Sequence, residues 1–412
     1  MTLLFFVNYF DNIINEVAMN KDVKKILITL GFYSFACGLF YNFQQLWMAD
    51  NDLSLKTIST IYSLCALITV SIIFLSSNVI KQDKLKKFTT SLLISKSILM
   101  FLLFLLNKSG HSVIIKFIIM MEYALDVEAY TCIYPLITLI TKNDKIYAIK
   151  SLIYSFIYYV GVLFAGLLLG KNILFLNINY NFYCLFGSIS VFISFIVLNK
   201  IDFSKYIIDS TKSNTTNHLY ELVKIIKKDK VTHNYLMYLL TGNISYFCVT
   251  TLMLTILTKN IGYSARYASN FLLALGVISV LLGVLVLHKL TLKNNYINLM
   301  IKYGTRFLAY LVAFIIGSNN SLLIAMIFAK VLADSYSHVT DAPYINRFDG
   351  DYQLSFCNLK EMVNYFSRAI GTILCGLVIT NSPRYIFLFS SIFVFLQLVF
   401  GIKALYLKSK EG

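Results

Sequence analysis

Twelve runs of apolar residues, each near the length that crosses a lipid bilayer, follow one another along this chain with mostly short polar breaks. A spanning helix needs about 20 mostly apolar residues to cross a hydrocarbon layer ~30 Å thick. The runs fall at 25–47, 56–79, 88–107, 113–139, 148–170 and 181–199. They resume at 233–256, 267–288, 296–317, 321–344, 355–379 and 384–405. Backbone in lipid must satisfy its hydrogen bonds internally, so these runs predict an all-α polytopic membrane protein. Composition agrees: 58% of the 412 residues are hydrophobic and 14% charged, against about a quarter charged in soluble domains.

The one long polar stretch divides the runs into a six-helix bundle over 1–199, a connector over 200–232 and a second six-helix bundle over 233–412. With the N-terminus inside, the inner segments hold 23 Lys and Arg, and the outer loops hold six. This imbalance predicts that both termini lie in the cytoplasm, and a bacterial-type plasma membrane is the expected location. The formal charge of +16 is spread over these short segments, so nucleic acid is not an expected partner. The first twenty residues, with no basic start and Asp11 breaking the apolar stretch, read as a short amphipathic lead-in, not a cleaved signal peptide. Within the connector, "LYELVKIIKKDK" suits either a basic surface helix against anionic lipid or a solvated linker.

Seven cysteines, Cys37, Cys65, Cys132, Cys184, Cys248, Cys357 and Cys375, lie in apolar runs without C-x-x-C spacing. They read as small packing groups; no disulfide, metal or cofactor is expected. No G-x-x-x-x-G-K-[ST] loop is present, which argues against ATP-driven transport by this chain.

The two sets of six runs echo each other. "EYALDVEAYTCIYP" from Glu122 and "KVLADSYSHVTDAP" from Lys330 lie 208 positions apart and align Asp126 with Asp334 and Pro135 with Pro343. At an offset of 210, Lys150 meets Lys360, Phe156 meets Phe366, Gly161 meets Gly371, Gly166 meets Gly376 and Leu167 meets Leu377. Six spans per half make such repeats parallel, about an axis along the membrane normal.

This arrangement resembles the major facilitator superfamily of secondary transporters. The family's loop between spans two and three reads G-x-x-x-D-[RK]-x-G-[RK]-[RK]. Here "VIKQDKLKKF" keeps Asp83, Lys84 and Lys87 but has Val79 and Lys86 at the glycine positions. Span five has Gly161, Gly166 and Gly170 but no proline, which disfavours the drug/proton antiporter type. The resemblance implies a central cavity lined by spans one, four, seven and ten.

An ionisable group at mid-membrane costs at least ~2.5 kcal/mol on insertion scales, so such residues default to the interior and to function. The candidates are Glu122, Asp126 and Glu128 on span four, Lys330, Asp334, His338 and Asp341 on span ten, and Glu361, Asn364 and Arg368 on span eleven. Lys330, Asp334, His338 and Asp341 share one helix face. Asp126 and Asp334 can carry protons, pairing with Lys330 or Arg368 in one state and taking up a proton in the other. Permanent ion pairs that fix helix register are the alternative. Asn42, Gln44 and Gln45 on span one, and Asn243 and Tyr246 on span seven, are candidate solute contacts. Asp83 and Lys84 mark the gating loop, and Pro135 and Pro343 matched helix bends.

The expectation is a monomeric secondary active transporter of a small polar or charged solute, proton-coupled, working by alternating access among membrane lipids. Two other classes stay open: a membrane enzyme built on Asp334, His338 and Asp341, and a transporter-like sensor without flux.

Overall fold

The computed structural model describes residues 21–50, 53–79, 82–106, 115–122, 132–133, 136–137, 140, 144–168, 172–173, 176–177, 180–206, 218–289, 299–340, 344, 347–348, 350–379 and 382–410. Helices dominate: α1 Lys21–Asp50, α2 Leu55–Val79, α3 Gln82–Leu106, α4 Asp144–Leu168 and α5 Tyr180–Asn199. These are predicted spans one, two, three, five and six, while part of span four is helical over 115–122. A two-residue ladder, Asn172–Ile173 against Leu176–Asn177, lies between α4 and α5. The connector helix α6 His218–Lys228 leads into α7 Lys230–Thr250, α8 Ala265–Lys289, α9 Thr305–Ile316, α10 Asn319–Thr340, α11 Gly350–Ile379 and α12 Arg384–Lys408. Labels α7 to α12 thus coincide with spans seven to twelve. Gly317, at φ 64°, ends α9 and donates its N–H to Ala313.

Among the described residues, seven helices are long and apolar enough to cross a membrane by length and composition. Their outer faces stay apolar: Leu308, Ile315 and Ile316 are each more than 60% exposed. A water-soluble monomer would not present such a surface.

Between the helices, polar hydroxyls and small residues set the contacts. The Ser97 and Ser188 hydroxyls each donate to the other's backbone carbonyl and join α3 to α5, while Ser194 donates to the Thr29 carbonyl of α1. Ser245 of α7 donates to the Ser390 carbonyl of α12 in the same way. A Cβ on Gly161 of α4 would lie 2.5 Å from the Phe35 carbonyl oxygen and 3.0 Å from the Leu39 nitrogen of α1. A Cβ on Gly371 of α11 would lie 2.6 Å from the Ile244 carbonyl oxygen and 3.0 Å from the Cys248 nitrogen of α7. The crossing of α1 with α4 therefore recurs between α7 and α11. Across the halves, Gly166 of α4 packs on Ser269 of α8, and Gly376 of α11 packs on Ser59 of α2. Glycine permits the backbone approach that lets such helices associate where the hydrophobic effect between them is weak.

The end of the bundle where α1 and α7 begin is cross-linked. Asp22 of α1 accepts hydrogen bonds from Lys25, Lys205 and Tyr206, each at 3.0 Å. This carboxylate raises the Lys205 pKa above its ordinary value. Lys86 donates to the Asn199 and Ile201 carbonyls at and just past the end of α5. A cation suits these helix-end oxygens. Asp229 caps α7 through the Val231 and Thr232 amides and pairs with Arg347 at 3.2 Å. Part of the connector is an ordered helix and not a solvated linker: Leu222 and Ile226, one turn apart, are buried, and Tyr352 of α11 donates to Glu221 at 2.8 Å. Its apolar stripe packs on protein, while Ile225 beside it is 43% exposed.

Gly161→Leu and Gly371→Leu are each expected to lower the thermal unfolding midpoint in detergent, with a loss of about 1–3 kcal/mol from overpacking. Gly304→Ala, where an added Cβ meets nothing within 4 Å, is expected to leave the midpoint unchanged.

Candidate functional site

Buried charge is concentrated on inner helix faces, and its first centre lies in the N-terminal half. Lys96, in the middle of the apolar run of α3, is fully buried. Its ammonium lies 3.4 Å from a Glu122 carboxylate oxygen, 4.8 Å above the Tyr33 ring and 3.8 Å from the Cys37 sulfur. Glu122, at the end of the helical segment 115–122, is equally buried. It turns into the first half toward α3, a partner not anticipated from the helical face it shares with Asp126. In low dielectric, two opposite charges hold each other ionised, and removing one strands the other.

A second centre lies in the C-terminal half. Arg306 of α9 is 2% exposed; its guanidinium donates to the Tyr310 hydroxyl at 3.3 Å and lies against the rings of Tyr303 and Tyr310. Lys302, one turn earlier, is also buried, 5.0 Å from the Tyr303 ring. The hydroxyls of Tyr303 and Tyr238 of α7 hydrogen-bond each other.

A third group sits where the halves meet. Lys330 of α10 donates to the Tyr246 hydroxyl of α7 at 2.8 Å and lies 5.5 Å from the ring of Tyr159 on α4. Two predicted site residues are thus brought together, and a first-half aromatic joins them. Arg368 of α11 stacks 5.0 Å over Phe247 of α7 and lies within electrostatic reach of Cys65 on α2. At the next residue of α11, Ser63 of α2 donates to the Ala369 carbonyl at 3.0 Å, closing the seam.

Earlier along α11, Asn364 donates to Glu361 at 3.2 Å, as their shared face predicts. Lys150 of α4 is buried within electrostatic reach of Glu361 and of its own repeat counterpart, Lys360.

The uncharged candidates divide. Gln44 is buried and accepts from the Tyr62 hydroxyl of α2 at 2.9 Å, so it ties α1 to α2. Asn243 is half-buried on α7, and Lys84 is exposed. Asp126, Glu128, Asp341, Pro135 and Pro343 lie outside the described residues. At Asn42, Gln45, Asp83, Asp334 and His338 only the helical backbone is described. Among the described residues no group of three metal-ligating side chains comes together.

Sequence reasoning passed over Lys96, Arg306 and the tyrosines around them. The signal was present: each cation interrupts an apolar run, and the two stand 210 positions apart, the offset of the matched glycines.

Lys96→Met is expected to lower the unfolding midpoint sharply, at a cost of about 3–5 kcal/mol for an uncompensated buried carboxylate. The double change with Glu122→Leu is expected to recover part of that loss, which thermal unfolding of the purified protein would read.

No family model and no curated protein matches this sequence. Solved structures do match. The human organic anion transporter MFSD10 (TETRAN) superposes with a TM-score of 0.64 at 10% identity, covering 93% of this chain and 100% of that one. A D-xylose–proton symporter gives 0.66 at 12% identity, covering 92% and 96%. The major facilitator superfamily transporter FucP, solved in an outward conformation, gives 0.63 at 11% identity, covering 92% and 97%.

Proposed function

We propose that this chain, which has the major facilitator superfamily fold, is a secondary active transporter of a small polar or charged solute. In this reading twelve spans form two six-helix repeats, 1–199 and 233–412, joined by the connector 200–232, with both termini cytoplasmic. The matched crossings of α1 with α4 and of α7 with α11 support the two repeats. The Lys/Arg imbalance supports the orientation, and a bacterial-type plasma membrane is proposed as the location.

One observation carries the proposal. At the seam between the halves, Lys330 touches Tyr246 of one half and Tyr159 of the other. Packing alone has no need of an ammonium there, and charge inside a membrane bundle marks a solute or ion path. Rocking one half against the other would break and remake such contacts, exposing the seam alternately to each side.

Proton coupling is assigned to carboxylates of spans four and ten. Glu122, held by Lys96, is the described member; Asp126 and Asp334 are proposed with it, as repeat-matched acids near mid-membrane. A carboxylate that loses its cation partner in low dielectric takes up a proton, and one that regains the partner releases it. Arg368 and Lys330 are the proposed switching partners, with Glu128, His338, Asp341, Glu361 and Asn364 along the path. The chain is proposed to work as a monomer and not as an enzyme, its solved neighbours being transporters.

The test uses liposomes holding the purified protein and a labelled solute first identified by its stabilising effect on unfolding. An imposed pH gradient is expected to drive accumulation of that solute. Asp126→Asn, Asp334→Asn and Glu122→Gln are expected to abolish accumulation in at least one case while sparing exchange at equal pH. Full coupling in all three variants would remove the proton reading, and no flux of any bound solute would remove transport.

A further inference from the structure

The buried cations of the two halves occupy matched places but keep unlike company. Lys96 on α3 and Arg306 on α9 stand 210 positions apart, the offset that also relates Gly161 to Gly371 and Ser59 to Ser269. Lys96 faces the Glu122 carboxylate at 3.4 Å. The residue 208 positions after Glu122 is Lys330, so the second half has a cation where the first has an acid.

Around Arg306 the described neighbours are phenols. Tyr310 accepts at 3.3 Å, the rings of Tyr303 and Tyr310 lie alongside, and Tyr246 is within electrostatic reach. No described carboxylate pairs with Arg306, and its buried Nε has no hydrogen-bond partner among the described residues. Tyr246 in turn accepts from Lys330 at 2.8 Å. Lys302 adds a third buried or half-buried base. A guanidinium removed from water calls for countercharge or complete hydrogen bonding; one hydroxyl and two ring faces supply part of that.

We propose that the Arg306–Tyr246–Lys330 cluster is an anion subsite, and that the transported solute carries a carboxylate or a phosphate group. This deepens the transport reading and rests on it for access from the seam. The planar guanidinium presents paired donors to two oxygens of such a group. The ammonium of Lys330 and the phenolic hydroxyls add donors from the seam side, and the aromatic walls keep water out without adding charge. The incoming anion supplies in the second half the countercharge that Glu122 supplies to Lys96 in the first. A neutral sugar would bring the Arg306 guanidinium no countercharge.

The experiment follows the unfolding midpoint of the full-length protein in detergent against sodium benzoate, sodium succinate and sodium phosphate. Benzamide serves as the uncharged counterpart of benzoate, and sodium chloride matches ionic strength. At least one of the three anions is expected to raise the midpoint saturably, with benzamide and chloride inactive. Arg306→Gln is expected to raise the half-saturating concentration about ten- to hundredfold, as for loss of a hydrogen bond to a charged group. Arg306→Lys should cost less. If Arg306→Gln does not fold, Lys330→Gln and Tyr310→Phe are expected to weaken the same response. A purely structural role for Arg306 would lower the ligand-free midpoint without moving half-saturation. That result, or no saturable response to any of the three anions, overturns the subsite. Gradient-driven uptake of an uncharged solute without an anion response would remove the subsite and leave transport standing. Arg306-dependent anion binding without flux would uphold the subsite and remove transport.

Discussion

An ionised side chain in a membrane interior is tolerated only if the protein replaces the water it has lost. That constraint orders this structure more than any single packing contact. Lys96 shows the complete solution: a carboxylate at 3.4 Å, an aromatic face at 4.8 Å and a soft sulfur nearby, all within one half. The helices that meet there, α1, α3 and the segment 115–122, are held in register by the demand that these groups find each other. The hydroxyl bonds of Ser97 with Ser188 and of Ser194 with Thr29 then tie the same bundle together.

Helix association follows a different rule. Lipid is as apolar as leucine, so the helices gain little by burying leucine against each other and depend on close fit. The glycines at α1–α4 and α7–α11 let backbones touch, and the serine–glycine contacts at α2–α11 and α4–α8 do the same across the seam. Contacts of this kind are shallow and rich in small groups. They favour sliding or rocking over a fused interface, which suits a molecule proposed to open alternately to two sides.

The halves repeat in packing and part company in chemistry. Where one pairs Lys96 with Glu122, the other sets Arg306 among tyrosines and places Lys330 at the seam. Matched helix crossings thus surround two unlike electrostatic centres. In the reading proposed here, one serves the proton and the other the solute.

Much of this was legible before any coordinates. Run lengths near twenty apolar residues imply membrane helices because the hydrocarbon thickness is fixed, and a period between halves implies recurrent crossings because helix faces follow sequence spacing. The pairing of Glu361 with Asn364 likewise follows from local spacing. Tertiary structure decided which side chains from distant helices share a space. That Glu122 turns to Lys96, that Lys330 reaches Tyr246 and Tyr159, and that Gln44 holds Tyr62 all depend on helix rotation and crossing angle. Those are set by close fit between surfaces far apart in the chain. Periodicity tells which residues share a helix face but not which face of another helix it will meet.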